Sequence, residues 1–113
     1  LWVSGTSTRA KALLLHEIGH VLDGLNDFSS DAAVAMAWRN EAGDLLKYLG
    51  KFGGSIDAEI SYFADGTTRA TREVVAELYA ARHGLKTAES VDVALAFPAT
   101  MRSLYQLLDS QGL

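Results

Sequence analysis

The stretch Leu13-Leu14-Leu15-His16-Glu17-Ile18-Gly19-His20-Val21-Leu22 decides how this chain is read. It has helical character and contains no proline. On an α-helix, residues four apart stack on one face, so His16 and His20 can aim two imidazole nitrogens at one point. Zinc accepts such nitrogens at about 2.0–2.1 Å. Glu17 lies one step round the helix, near that point but not required to bind the metal. It can accept a proton from a zinc-activated water, an arrangement suited to hydrolysing a peptide bond. The competing reading is two surface histidines on an amphipathic helix. The flanking Leu13, Leu14, Leu15, Ile18, Val21 and Leu22 argue against it, because they describe a helix buried on most sides. Two histidines and a glutamate on such a helix need partners, and a metal supplies one for all three. Gly19 costs roughly 1 kcal/mol of helix propensity relative to Ala, which predicts that something packs close to its face.

Composition narrows the remaining choices. The chain has 113 residues, enough for one domain with a real core but not for two. Hydrophobic residues make up 49% and charged residues 21%, as in an ordinary globular protein. The net charge of −4 and the lack of any Lys/Arg cluster make nucleic acid an unsuitable partner. No apolar run reaches the ~18–20 residues of a membrane span, and no signal-peptide pattern is present. The sequence opens on Leu1 instead of Met, which fits a mature, trimmed or partial form. There is no cysteine, so a thiolate-ligated zinc site and disulfides are both excluded.

Read along its length, the chain is nearly all helix. Trp2-Val3 could end a short strand. Thr6, Ser7 or Thr8 can cap a first helix running to about Leu25. Ser29, Ser30 or Asp31 can cap an alanine-rich second helix to about Leu49, with an interruption expected between Asn40 and Gly43. Gly50, Gly53 and Gly54 form a loop, and 56–63 is ambiguous between helix, turn and strand. A turn at 65–68 leads into a third helix, capped by Thr68 or Thr71, whose Val74, Val75 and Leu78 recur with helical period. His83-Gly84 closes it, with the imidazole at the negative helix end. The segment 90–97 is a short apolar helix. Pro98 then opens a last helix to about residue 109, with Met101, Leu104, Leu107 and Leu108 as its buried stripe.

A catalytic zinc ion usually has three protein ligands and one open position. Soon after His20 the available donors are Asp23, Asn26 and Asp27. A short-range third histidine would need Gly at 23 and His at 26, and the chain has neither. His83 is read as a helix cap. The third helix offers Glu73 and Glu77, four apart on one face. Two like charges there repel unless something positive lies opposite, and a zinc ion held by His16 and His20 fits. Glu73 is then the ligand, and Glu77 accepts a ring N–H from a ligand histidine. The two glutamates could exchange roles, Glu59 is an outside candidate, and a solvated stripe paired with Arg69, Arg72 or Arg82 is the alternative.

The motif His16-Glu17-Ile18-Gly19-His20-Val21-Leu22-Asp23, followed far downstream by Glu73-Val74-Val75-Ala76-Glu77, resembles the zinc peptidases with a glutamate third ligand. Within them it is most similar to the catalytic domain shared by anthrax lethal factor and secreted pro-pro endopeptidases. The likeness spans most of residues 13–108 and implies a zincin-like domain with a small sheet ahead of the motif helix; only Leu1 to Gly5 stand there, so the expectation is one mainly α domain over residues 1–113 with its N-terminal sheet reduced or missing. The resemblance implies one zinc ion on His16, His20 and Glu73, and Glu17 as general base. It also implies a tyrosine that stabilises the oxyanion, matched here by Tyr62. A protein or peptide substrate and secretion follow from the same likeness. Phe97-Pro98-Ala99-Thr100-Met101 and Leu107-Leu108 resemble the closing helix.

The expectation is therefore a zinc endopeptidase. Glu17 takes the proton from water and passes it to the leaving amine. Tyr62, or failing that His83, donates to the oxyanion. Glu77 and Asp23 orient the histidines. Trp38 and Phe63 are read as core in preference to cleft lining. The alternatives are a zinc-binding module without turnover, whether pseudo-peptidase or interaction domain, and a metal-free helical binding domain. Substrate specificity and oligomeric state are not written in the sequence.

Overall fold

The computed structural model describes residues 7–51, 64, 67–83 and 93–113. Four long helices dominate: α1 (Ser7–Asn26), α2 (Ala32–Lys51), α3 (Thr68–Arg82) and α4 (Pro98–Ser110). A 3-10 turn, Phe28–Ser30, joins α1 to α2, and one helical turn at 93–96 precedes α4. No strand occurs among the described residues, so the mainly α expectation holds. The expected strand end at Trp2-Val3, the segment 56–63 with Glu59, Tyr62 and Phe63, and Gly84 lie outside them. Among the described residues no helix is long and apolar enough to cross a membrane.

Local chemistry fixes the helix ends. The Thr67 hydroxyl accepts the Ala70 N–H at 3.2 Å and caps α3. Thr68 and Thr71, the expected caps, instead fall within the first turn. Asp31 caps α2, its Oδ2 accepting from Ala33 N at 3.2 Å and Val34 N at 3.3 Å. Between α1 and α2, Asp27 takes a left-handed conformation (φ 56°, ψ 42°), which short polar residues tolerate best after glycine. α2 runs unbroken through residues 40–43, contrary to the expected interruption. Its register there buries Trp38 and Ala42, and Gly43 stands in open space. Packing of that face outweighs one glycine's helix propensity.

The helices pack as two pairs, α1 on α3 and α2 on α4, with the 3-10 turn touching α1, α2 and α3. Phe28 from the turn, Val34, Trp38 and Ala42 from α2, Val74, Val75 and Leu78 from α3, and Phe97, Leu104 and Leu108 form one buried cluster. Each large side chain among them contributes roughly 1.5–3 kcal/mol by leaving water. Trp38 is thus core, as read from sequence.

α1 departs from expectation. Its apolar flanks predict burial on most sides, yet Leu13, Leu14, Ile18, Val21 and Leu25 are 36–76% exposed. Only the face bearing Ala12, Gly19 and Asp23 is covered, by α3 and the turn. Leu14, Ile18, Val21 and Leu25 lie about 200° round the helix from it. An apolar flank reports what a helix can bury, and the neighbours decide which side it does bury.

α4 has no local side-chain cap, because Phe97 stands at its N-cap position and Pro98 follows. Glu41 of α2 serves instead. Its Oε2 accepts from Ala99 N at 2.9 Å, and its Oε1 accepts from Thr100 N and Thr100 Oγ1, both at 2.7 Å. A carboxylate at a helix N-terminus satisfies orphan N–H groups and opposes the helix dipole. Glu41→Ala should lower unfolding free energy by about 2–3 kcal/mol, and Glu41→Gln by less. Equal denaturant midpoints for Glu41→Ala and wild type would show that the contact carries no stability.

Candidate metal centre

α1 and α3 meet through their smallest residues. A Cβ added to Gly19 would lie 3.0 Å from Ala76 Cα, 3.2 Å from Ala76 O and 3.3 Å from Tyr79 Cβ. The close neighbour inferred from Gly19 is therefore α3 itself. His16 and His20 flank Gly19 on one helix, and Glu73 and Glu77 flank Ala76 on the other. The two pairs face each other across this contact.

The distances define a compact group. His16 Nε2 lies 2.9 Å from Glu73 Oε2, His20 Nε2 lies 3.1 Å from Glu73 Oε1, and the two Nε2 atoms are 3.0 Å apart. The imidazole rings are edge to face, with centroids 4.7 Å apart. One donor atom from each residue, all within 4.8 Å of one another, can close on a single ion such as zinc with bonds of about 2.0 Å. His16, His20 and Glu73 form the one group of three or more such donors close enough to share an ion among the described residues. Two imidazole nitrogens at this spacing cannot both present lone pairs in comfort. A proton or a cation between them resolves the conflict.

Behind this group, Glu77 Oε1 lies 2.8 Å from His16 Nδ1, at ion-pair distance. The contact runs off the ring N–H axis, so the buried Nδ1 has no well-aligned hydrogen bond. Its electrostatic consequence is strong all the same. Glu77 raises the His16 pKa above 6.5 through its contact with the ring; burial pulls the other way, and the charges of Glu77 and then Glu73 add to the rise. A carboxylate beside Nδ1 favours a proton on that nitrogen, with Nε2 turned toward His20 and Glu73.

The other candidates fall elsewhere. Glu17 is exposed on α1 and makes no hydrogen bond or ion pair with the described residues. Asp23 is buried, but its Oδ1 accepts the Ser29 N–H at 2.8 Å. That bond fastens the 3-10 turn to α1. Asn26 bonds back to Leu22 O at 2.9 Å, and Asp27 sits in the turn. His83 stands at the C-cap of α3 with its ring 4.5 Å from that of Tyr79. Ten helical residues, about 15 Å, separate it from Glu73, and it stands at the helix end as a cap. Tyr62 lies outside the described residues. Sequence reasoning missed Glu41, whose partners are 58 and 59 residues away and which no local pattern announces.

Comparison with protein-family models, with curated proteins and with solved structures finds no match to this chain.

The raised His16 pKa sets a pH dependence for the metal-free protein. The folded state holds the proton more tightly than the unfolded chain does. The stabilisation is therefore complete below the unfolded value of about 6.5 and is lost as pH rises through the higher folded value. With chelator present, the melting temperature should fall as pH rises from 6 into the alkaline range. Glu77→Gln should flatten that fall, and a wild-type melting temperature that holds or climbs over the interval would contradict it.

Proposed function

We propose that this chain is a zinc-dependent endopeptidase in which His16, His20 and Glu73 hold one zinc ion. The observation that carries the reading is the convergence of both Nε2 atoms on the Glu73 carboxylate, from positions 57 (His16) and 53 (His20) residues earlier in the chain. Two neutral imidazoles and one carboxylate form a donor set that suits zinc and leaves a tetrahedral position open. The chemistry such an ion supplies is Lewis-acid activation, of water toward a nucleophile at neutral pH and of a carbonyl toward attack.

The rest falls to the chain's own side chains. Glu17 follows His16 directly on α1, and its carboxylate is free of other partners among the described residues. It is the base that accepts a proton from water and delivers it to the leaving amine. Glu77 keeps the His16 proton at Nδ1 and the ring in place. The resemblance to the lethal factor and pro-pro endopeptidase domain supplies Tyr62 as the donor to the oxyanion. It also supplies a protein or peptide substrate and action outside the producing cell.

Elemental analysis and a peptide-library cleavage assay test this together. Wild-type protein should carry one equivalent of zinc and cut peptides. Glu17→Gln should keep the zinc and lose turnover by several orders of magnitude. Glu73→Ala should lose the metal, and Glu77→Ala should weaken binding by about 10–100-fold. A Glu17→Gln variant with full activity rules the mechanism out. Bound zinc with no peptide cut under any condition makes the chain a metal-binding module without turnover. A different metal in stoichiometric amount reassigns the ion.

A further inference from the structure

We infer that Gly19 is a positioning residue, whose missing side chain sets the distance at which the α1 histidines meet the α3 glutamates. The inference rests on the metal-site reading above and adds a residue that touches neither metal nor substrate. Gly19 comes three residues after His16 and one before His20. Ala76 comes three residues after Glu73 and one before Glu77. The backbone approach of Gly19 to Ala76 therefore lies in the middle of the four functional side chains. Ala76 is fully buried, and the atoms a Cβ would strike are its Cα and carbonyl oxygen, at 3.0 and 3.2 Å. Backbone atoms inside a helix cannot swing aside as the tip of a flexible side chain can. Comfortable carbon contacts lie near 3.5–4.0 Å, so a methyl group at position 19 drives the helices apart by a few tenths of an ångström.

Such a retreat acts selectively. It lengthens the three contacts that cross between the helices: His16 to Glu73 at 2.9 Å, His20 to Glu73 at 3.1 Å and His16 to Glu77 at 2.8 Å. The 3.0 Å spacing of His16 and His20 is unchanged, because both belong to α1. A cation would keep its two imidazoles and be held less closely by its carboxylate. Gly24 and Gly43 supply the control, since an added Cβ at either meets nothing within 4 Å.

The test compares Gly24→Ala/Gly43→Ala protein with the same protein carrying Gly19→Ala as well. The two outlying alanines add helix propensity and offset overpacking at position 19. Zinc affinity is measured by chelator competition at a temperature where the metal-free forms are folded, and cobalt(II) absorption is recorded for each. The inference expects zinc binding about 10–100-fold weaker with Gly19→Ala, on the scale of losing a supporting contact. It also expects a changed cobalt spectrum, which a purely structural role would not produce. A lower melting temperature with unchanged affinity and spectrum overturns it, as does no change in any of the three. Failure of the background protein itself to bind zinc or cobalt overturns the metal-site reading and takes this inference with it. Zinc bound equally by both proteins overturns the inference alone.

Discussion

The backbone contact between α1 and α3 at Gly19 and Ala76 is the constraint on which the rest of the arrangement depends. Two helices this close leave no room for ordinary side chains between them. Small residues occupy the seam, and the polar residues beside it are pressed together. The helix spacing and the site are thus one decision, made by backbone packing. The second helix pair, α2 on α4, makes no contact of this kind with the histidines. It anchors the buried face of α3 through Phe97, Leu104 and Leu108, and it is held in turn by the Glu41 carboxylate at the start of α4.

The charges gathered at the seam are costly without a positive partner. Glu73 and Glu77 are both largely covered, and bringing two carboxylates out of water together raises the energy of each. His16 answers part of that by holding its proton more tightly. The same attraction favours any cation placed between Nε2 of His16, Nε2 of His20 and Glu73. A proton and a metal ion would therefore compete for the same place. On this view the histidine–glutamate group is a poor way to stabilise a helical bundle and a good way to hold a cation.

Helices were legible in the sequence wherever one face carried periodic apolar residues. α3 shows this through Val74, Val75 and Leu78, and α4 through Leu104 and Leu108. Pro98 and Asp31 announced their helix ends because capping is local chemistry. The pairing of His16 and His20 was legible for the same reason, since four residues is one helical turn. The neighbour of Gly19 could be anticipated from its propensity cost but not named. What sequence could not supply was anything decided between distant elements. Asp23 looked equally suited to a histidine ring or a turn until Ser29 was placed beside it. Glu41 looked like any surface acid. The apolar flank of α1 gave no sign of which side α3 would leave uncovered.

The sequence distance between the facing groups has its own consequence. His16 and Glu73 are 57 residues apart, and the chain has no cysteine with which to tie its ends. A cation gripped from both helices closes that loop as a disulfide would. The entropy removed from the unfolded chain corresponds to roughly 4 kcal/mol by the usual cross-link relation. Unlike a disulfide, such a staple would answer to supply. It would tighten where the ion is plentiful and open where the ion is scarce, so the stability of the fold would report the metal around it.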